Sequence, residues 1–172
     1  MCNTKPILFL DIDGVLATHK QYMMNGKKFQ DKNLIAKELR IPYPFDPKCV
    51  KIFNEILDET GADIVLSSDW KYHWNLEDLD KIFKFNGVNK SPIDTTINED
   101  VSMGNITKNR AYQVGEYIQR KGITNYVVID DLNISNYMSI TGDDNKFVLT
   151  DDFEGLKQLG IKNKIINILN NG

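Results

Sequence analysis

The chain has 172 residues, 41% of them apolar, which makes one well-cored domain the default and leaves room for a small insertion. A formal net charge of −3 weighs against a broad nucleic-acid-binding surface but still allows a local basic groove. Cys2 and Cys49 form no C-x-x-C pair and read as free thiols of a reducing compartment, and no apolar stretch nears the roughly 18 residues that span a membrane.

The first element is an unbroken apolar run over about residues 6 to 12. It has no helical period, so it reads as a strand buried on both faces. It is short and contains Asp11 and Asp13, unlike a secretory leader, and a cytoplasmic location is expected. Residues 17–45 are polar and irregular, a long connection that reads as a lid or loop. Asp46 and Pro47 suit the cap and first position of a helix with Val50, Phe53, Ile56 and Leu57 inward, stopped by Gly61. Ala62 to Leu66 reads as a second buried strand, running into Ser67-Ser68-Asp69-Trp70-Lys71. A helix is expected around 76–85, then a loop-rich segment with a short strand near Val88. Thr107 is the expected cap of a helix through about Arg120. Tyr126 to Ile129 is a third buried strand ending in Asp130-Asp131, Phe147 to Leu149 a fourth, and Ile161 to Leu169 a closing helix. Strands alternating with helices predict an α/β three-layer, Rossmann-like sandwich with a mainly parallel sheet.

In a parallel sheet the strand exits share one edge, and open α/β sheets carry their chemistry there. Asp11, Asp13, Asp130 and Asp131 would converge on that edge with the hydroxyls of Ser67 and Ser68. Two carboxylates about 4 Å apart repel by roughly 4 kcal/mol at an effective dielectric near 20, so the cluster needs a cation or raised pKa values. All-oxygen ligands select a hard ion, and Mg²⁺ fits best.

This ordered set resembles the haloacid dehalogenase-like (HAD) superfamily of phosphohydrolases, from residue 6 to about 160. Its first motif, hhhhDxDGxx, is matched by Phe9-Leu10-Asp11-Ile12-Asp13-Gly14-Val15-Leu16. The second is matched by Ile64-Val65-Leu66-Ser67, and the fourth by Val127-Val128-Ile129-Asp130-Asp131. Leu66 to Lys71, with the helix from Arg110 to Ile118, resembles a smaller group linked to nucleic-acid repair modules. Lys71 stands where that group usually has Arg.

The resemblance implies a phosphomonoester hydrolase working through an aspartyl-phosphate. Asp11 would be the nucleophile and Asp13 the general acid and then base. Mg²⁺ would be held by the Asp11 carboxylate, the Asp13 backbone carbonyl and one acid of the Asp130-Asp131 pair, with Asp131 favoured as the direct ligand. Ser67, with Ser68 beside it, would contact the phosphate. Arg110 is the favoured basic residue of the third motif, Lys108 the next, and Lys71 a further phosphate contact. The short insertion at about 17–45 implies a minimal cap and an open site. That suits a nucleotide, a nucleic-acid end or a phosphoprotein, with no membrane and no obligate protein partner.

Two other classes remain in the sequence. A receiver-like signalling domain uses similar groups, but it carries its acidic pair on the first strand and its phosphoacceptor on a middle one, whereas strand two here ends in serines. A catalytically silent phosphate-binding domain is opposed by the intact Asp11, Asp13, Ser67 and Asp131. His19 and His73 lack metal-ligand spacing. Trp70, Tyr72 and Trp74 read as packing beside the second strand rather than as a stacking platform.

Overall fold

The computed structural model describes residues 5–25, 29, 33–96, 106–141 and 143–172. Its strands are β1 (Ile7–Leu10), β2 (Asp63–Leu66), β3 (Asp94–Thr95), β4 (Tyr126–Asp130) and β5 (Phe147–Leu149). They form one sheet in the order β3-β2-β1-β4-β5, with every pairing parallel. The central β1 sets Leu10 opposite Leu66 on one side and Ile129 on the other, so the exits of β1, β2 and β4 lie level. The chain runs outward from β1 through β2 to β3, then crosses back to β4 on the other side of β1. The gap between β1 and β4 is therefore the topological switch point, where such sheets open a crevice.

The helices are α1 (His19–Asn25), α2 (Leu34–Glu38), α3 (Pro47–Thr60), α4 (Leu76–Phe85), α5 (Ile106–Lys121), α6 (Ser135–Thr141) and α7 (Ile161–Asn170). Alternate strand residues feed two layers, as the pleat requires. Leu8, Leu10, Ile64 and Leu66 pack with α3, α4 and α7, while Phe9, Val65 and Val128 pack with α5 and α6. This is the expected three-layer sandwich. Among the described residues no helix is long and apolar enough to cross a membrane.

Asp46 caps α3 as its sequence implies, accepting from the Lys48 N–H at 2.9 Å, and Gly61 closes the helix with φ of 66°. Three local expectations change. The segment 17–45 is not simply irregular: it holds α1 and α2, and buries Ala36, Ile41 and Phe45 in the same core as α3. Asn33, accepting from the Ile35 and Ala36 N–H groups, starts α2. Val88 is not in a strand; its N–H bonds back to the Phe83 carbonyl and ends α4, and the short strand lies at Asp94–Thr95. A two-residue strand carries no readable alternation. Thr107 lies inside α5, which already includes Ile106, rather than capping it. Cys49 is a buried free thiol, and Cys2 lies outside the described residues.

Candidate active site at the carboxyl edge of the sheet

The backbone leaving β1 stays in the sheet for one more residue, the Asp11 N–H bonding the Ile129 carbonyl at 3.0 Å. It then turns tightly, the Ile12 carbonyl accepting from the Leu16 and Ala17 N–H groups at 2.9 Å each. Gly14 makes this turn possible twice over. Its φ is +68°, and a Cβ there would lie 2.4 Å from the Asp131 side chain. Thr150, at the exit of β5, pins the turn by donating to the Gly14 carbonyl at 3.0 Å. The first motif is thus held by the ends of both β4 and β5.

Asp11 is 3% exposed. Its Oδ1 accepts from the Ile12 N–H at 2.8 Å and its Oδ2 from Arg110 Nη1 at 2.7 Å. The same Nη1 reaches both Asp130 oxygens, at 3.1 and 3.2 Å, and Nη2 reaches Asp69 Oδ1 at 2.9 Å. Burial opposes the Arg110 charge, but three carboxylates outweigh it and hold the guanidinium charged. Burial and the adjacent Asp11 push the fully buried Asp130 well above the usual carboxylate range, against the pull of Arg110. Burial and Asp11 likewise push Asp131 up to about 6. Lys71 is buried and donates to the Ser67 carbonyl at 2.9 Å; burial, with Arg110 nearby, pulls it down to about 8.

Five carboxylates therefore share the site with two cations, an excess that a hard divalent ion would relieve. The residues fit one. Asp11, Asp130 and Asp131 each offer an oxygen, and these lie within 4.8 Å of one another. Such all-oxygen sets suit Mg²⁺. Asp130 is engaged by Arg110 and by the Leu132 N–H at 2.9 Å, whereas Asp131 abuts Gly14 and lines an open cavity.

The remaining residues of interest separate. The Ser67 Oγ is buried without a hydrogen-bond partner among the described residues. Ser68 is spent on its own chain, its Oγ accepting from the Trp70 N–H at 3.5 Å to cap the 3₁₀ turn Asp69–Tyr72. Lys108 is exposed, and it is Arg110 that enters the acidic cluster.

A family model for the HAD domain in Swiss Army Knife RNA repair proteins matches residues 7–159. The chain belongs to that family. No curated protein and no solved structure matches it.

Three residues of this HAD domain have contacts at the site that its sequence motifs do not carry. Asp13 Oδ1 accepts from the Tyr43 hydroxyl at 2.5 Å and its Oδ2 from Trp70 Nε1 at 3.0 Å. Burial raises the Asp13 carboxyl above its ordinary value, and these two donors restrain the rise. Asp69 braces the far side of Arg110. Trp70 left a signal: a buried indole N–H needs an acceptor, and Trp70 lies three residues beyond Ser67. Tyr43 left none, because it arrives from the 17–45 segment, where no pattern points at the sheet edge.

Proposed function

We propose that this HAD domain is a Mg²⁺-dependent phosphomonoester hydrolase acting on a nucleic-acid end through an aspartyl-phosphate. One observation carries the reading: the acids leaving β1 and β4 meet around Arg110, in a family that belongs to RNA repair proteins. An ionised Asp11 attacks phosphorus directly, forming the Asp11 O–P bond as the bond to the leaving oxygen breaks. Asp13 gives that oxygen its proton. Asp13 then takes a proton from water, which attacks the phosphorus and breaks the Asp11 O–P bond, releasing inorganic phosphate. A raised Asp13 pKa favours the protonated start of this cycle. Arg110 supplies charge-assisted donors to phosphate oxygens as well as to Asp11, and the Ser67 hydroxyl is free to donate to one more. Asp11, Asp131 and the Asp13 backbone carbonyl would hold Mg²⁺, which neutralises charge on the transferring group.

The test measures phosphate release from p-nitrophenyl phosphate, from RNA oligonucleotides phosphorylated at either end and from phosphopeptides, with Mg²⁺ and with EDTA. The expected result is Mg²⁺-dependent release, fastest from an oligonucleotide and abolished in Asp11→Asn. An Asp11→Asn variant as active as the parent, or release unaffected by EDTA, would overturn the mechanism. A preference for phosphopeptides would overturn the substrate class.

A further inference from the structure

Asp13 marks where the leaving group begins, because its proton goes to the leaving oxygen. Two cavities meet at Asp13. The smaller, about 290 Å³, is walled by Asp13, Asp131 and Asp152, with His19 as its one basic side chain. The larger, about 500 Å³, lies on the Trp70 side and adds Trp74, His73, Pro42 and Arg40. Its second carboxylate, Asp69, is already paired with Arg110. A polyanion would meet three carboxylates in the first cavity. In the second it would meet two, Asp13 and the Arg110-paired Asp69, together with a cation and aromatic walls.

Arg40 carries the argument. It forms no ion pair among the described residues; Lys37, Lys48 and Lys51 form none either, but Arg40 is the one of these that lines the cavity. Its backbone is left-handed, with φ of 54°, unlike any other described non-glycine residue. This is the closing position of α2, where the Ile41 N–H bonds back to the Ala36 carbonyl at 2.9 Å. Glycine is the ordinary choice there, because a Cβ is strained in that conformation. A strained arginine, unpaired at a cavity mouth, fits a functional constraint better than a folding one. The cavity walls have the second property of single-strand sites, sequence-tolerant aromatic faces: Trp74 packs against Trp70 with ring centroids 4.7 Å apart and planes tilted by 33°, and His73 is exposed beside it.

We infer that this cavity is the path of a single-stranded polynucleotide, the terminal nucleoside lying against Trp74 and His73 and the first internucleotide phosphate on Arg40. The inference rests on the phosphatase reading above and adds a substrate determinant to it. An oligonucleotide is then preferred to a mononucleotide with the same terminal phosphate, and Arg40 supplies the preference.

Arg40→Gly is the informative variant, since it relieves backbone strain and should melt no lower than the parent. The expected result is that the oligonucleotide-to-mononucleotide ratio of kcat/KM falls about tenfold. The salt dependence of log(kcat/KM) for the oligonucleotide should flatten by about 0.7, as for one lost single-strand phosphate contact. Arg120→Ala, which removes an equal charge on α5, should move neither quantity. Trp74→Leu and Trp74→Phe both lose the indole bond to the Leu39 carbonyl. Their difference isolates the aromatic face, and Leu should be weaker by roughly 5–150-fold. Binding of a fluorescent single strand to Asp11→Asn, with and without Arg40→Gly, reads the same salt slope even if hydrolysis fails. That separates this inference from the phosphatase reading. An unchanged ratio and slope in Arg40→Gly would overturn it, as would a phosphopeptide bound in preference to the strand.

Discussion

Gly14 is the residue on which the site's assembly turns. It lets the chain reverse after Asp13, and its missing Cβ is the space that Asp131 fills. Gly14→Ala would have to hold a Cβ at positive φ, costing about 1–2 kcal/mol. It would also have to push away a carboxylate that the proposed metal site would use. The expected outcome is loss of more than tenfold in kcat with a modest fall in melting temperature, read by steady-state assay and thermal unfolding. Full activity would mean that Asp131 can leave its place without consequence. The glycine's need for a turn was legible in the sequence; its contact with Asp131 was not. The same divide holds across the site. Asp11, Ser67 and Asp130 could be placed together because each ends an apolar run, and parallel strands bring their ends to one edge. Asp69 and Tyr43 reach the site through side-chain direction and insert docking, which no periodicity encodes.

At the scale of elements, α3 joins the insertion to the sheet, and Asp46 is its hinge point. The Asp46 N–H bonds the Leu16 carbonyl at 2.7 Å, its carboxylate caps the helix, and Lys157 from the 3₁₀ turn Gly155–Lys157 pairs with it at 2.6 Å. Burial alone would raise its pKa, but the Lys157 and Lys48 donors prevail and lower it. A depressed folded value means that the pairing stabilises above the unfolded pKa of about 3.9 and fades as pH falls through the folded value. Asp46→Ala loses both cap and pair. The cap alone is worth about 0.5–2 kcal/mol, and each kcal/mol moves the melting temperature by about 2–4 °C in a chain of this size. Asp46→Asn keeps the cap and loses the charge, so its deficit should be smaller at pH 7 and shrink as pH falls through the depressed folded value. A deficit that is constant with pH would remove the ion pair from the account. The cap was readable because Asp-Pro announces a helix start; Lys157, 111 residues away, was not. The helices α1 and α2 were equally hidden, being too short to show an apolar period.

For the whole molecule, the decisive feature is the return of the chain from β3 across β1 to β4. It brings acids 120 residues apart in sequence, Asp11 and Asp131, to the two sides of one crevice. The unfolded chain has no such site, so binding of a divalent ion is linked to folding and must raise stability by mass action. At a Mg²⁺ concentration 100 times its Kd the gain is about 2.7 kcal/mol, or roughly 5–10 °C in melting temperature. The expected increment appears on adding Mg²⁺, reverses with EDTA and is lost in Asp131→Asn. Asp143→Asn, which changes an exposed turn acid of equal charge, should keep it. If Asp131→Asn retained the full increment, the ion would be bound elsewhere, and the excess of carboxylates around Arg110 would have to be relieved by protons instead. The raised carboxyls of Asp130 and Asp131 make protonation the natural competitor. Melting curves with and without Mg²⁺ therefore decide which of the two the fold has gathered these acids to hold.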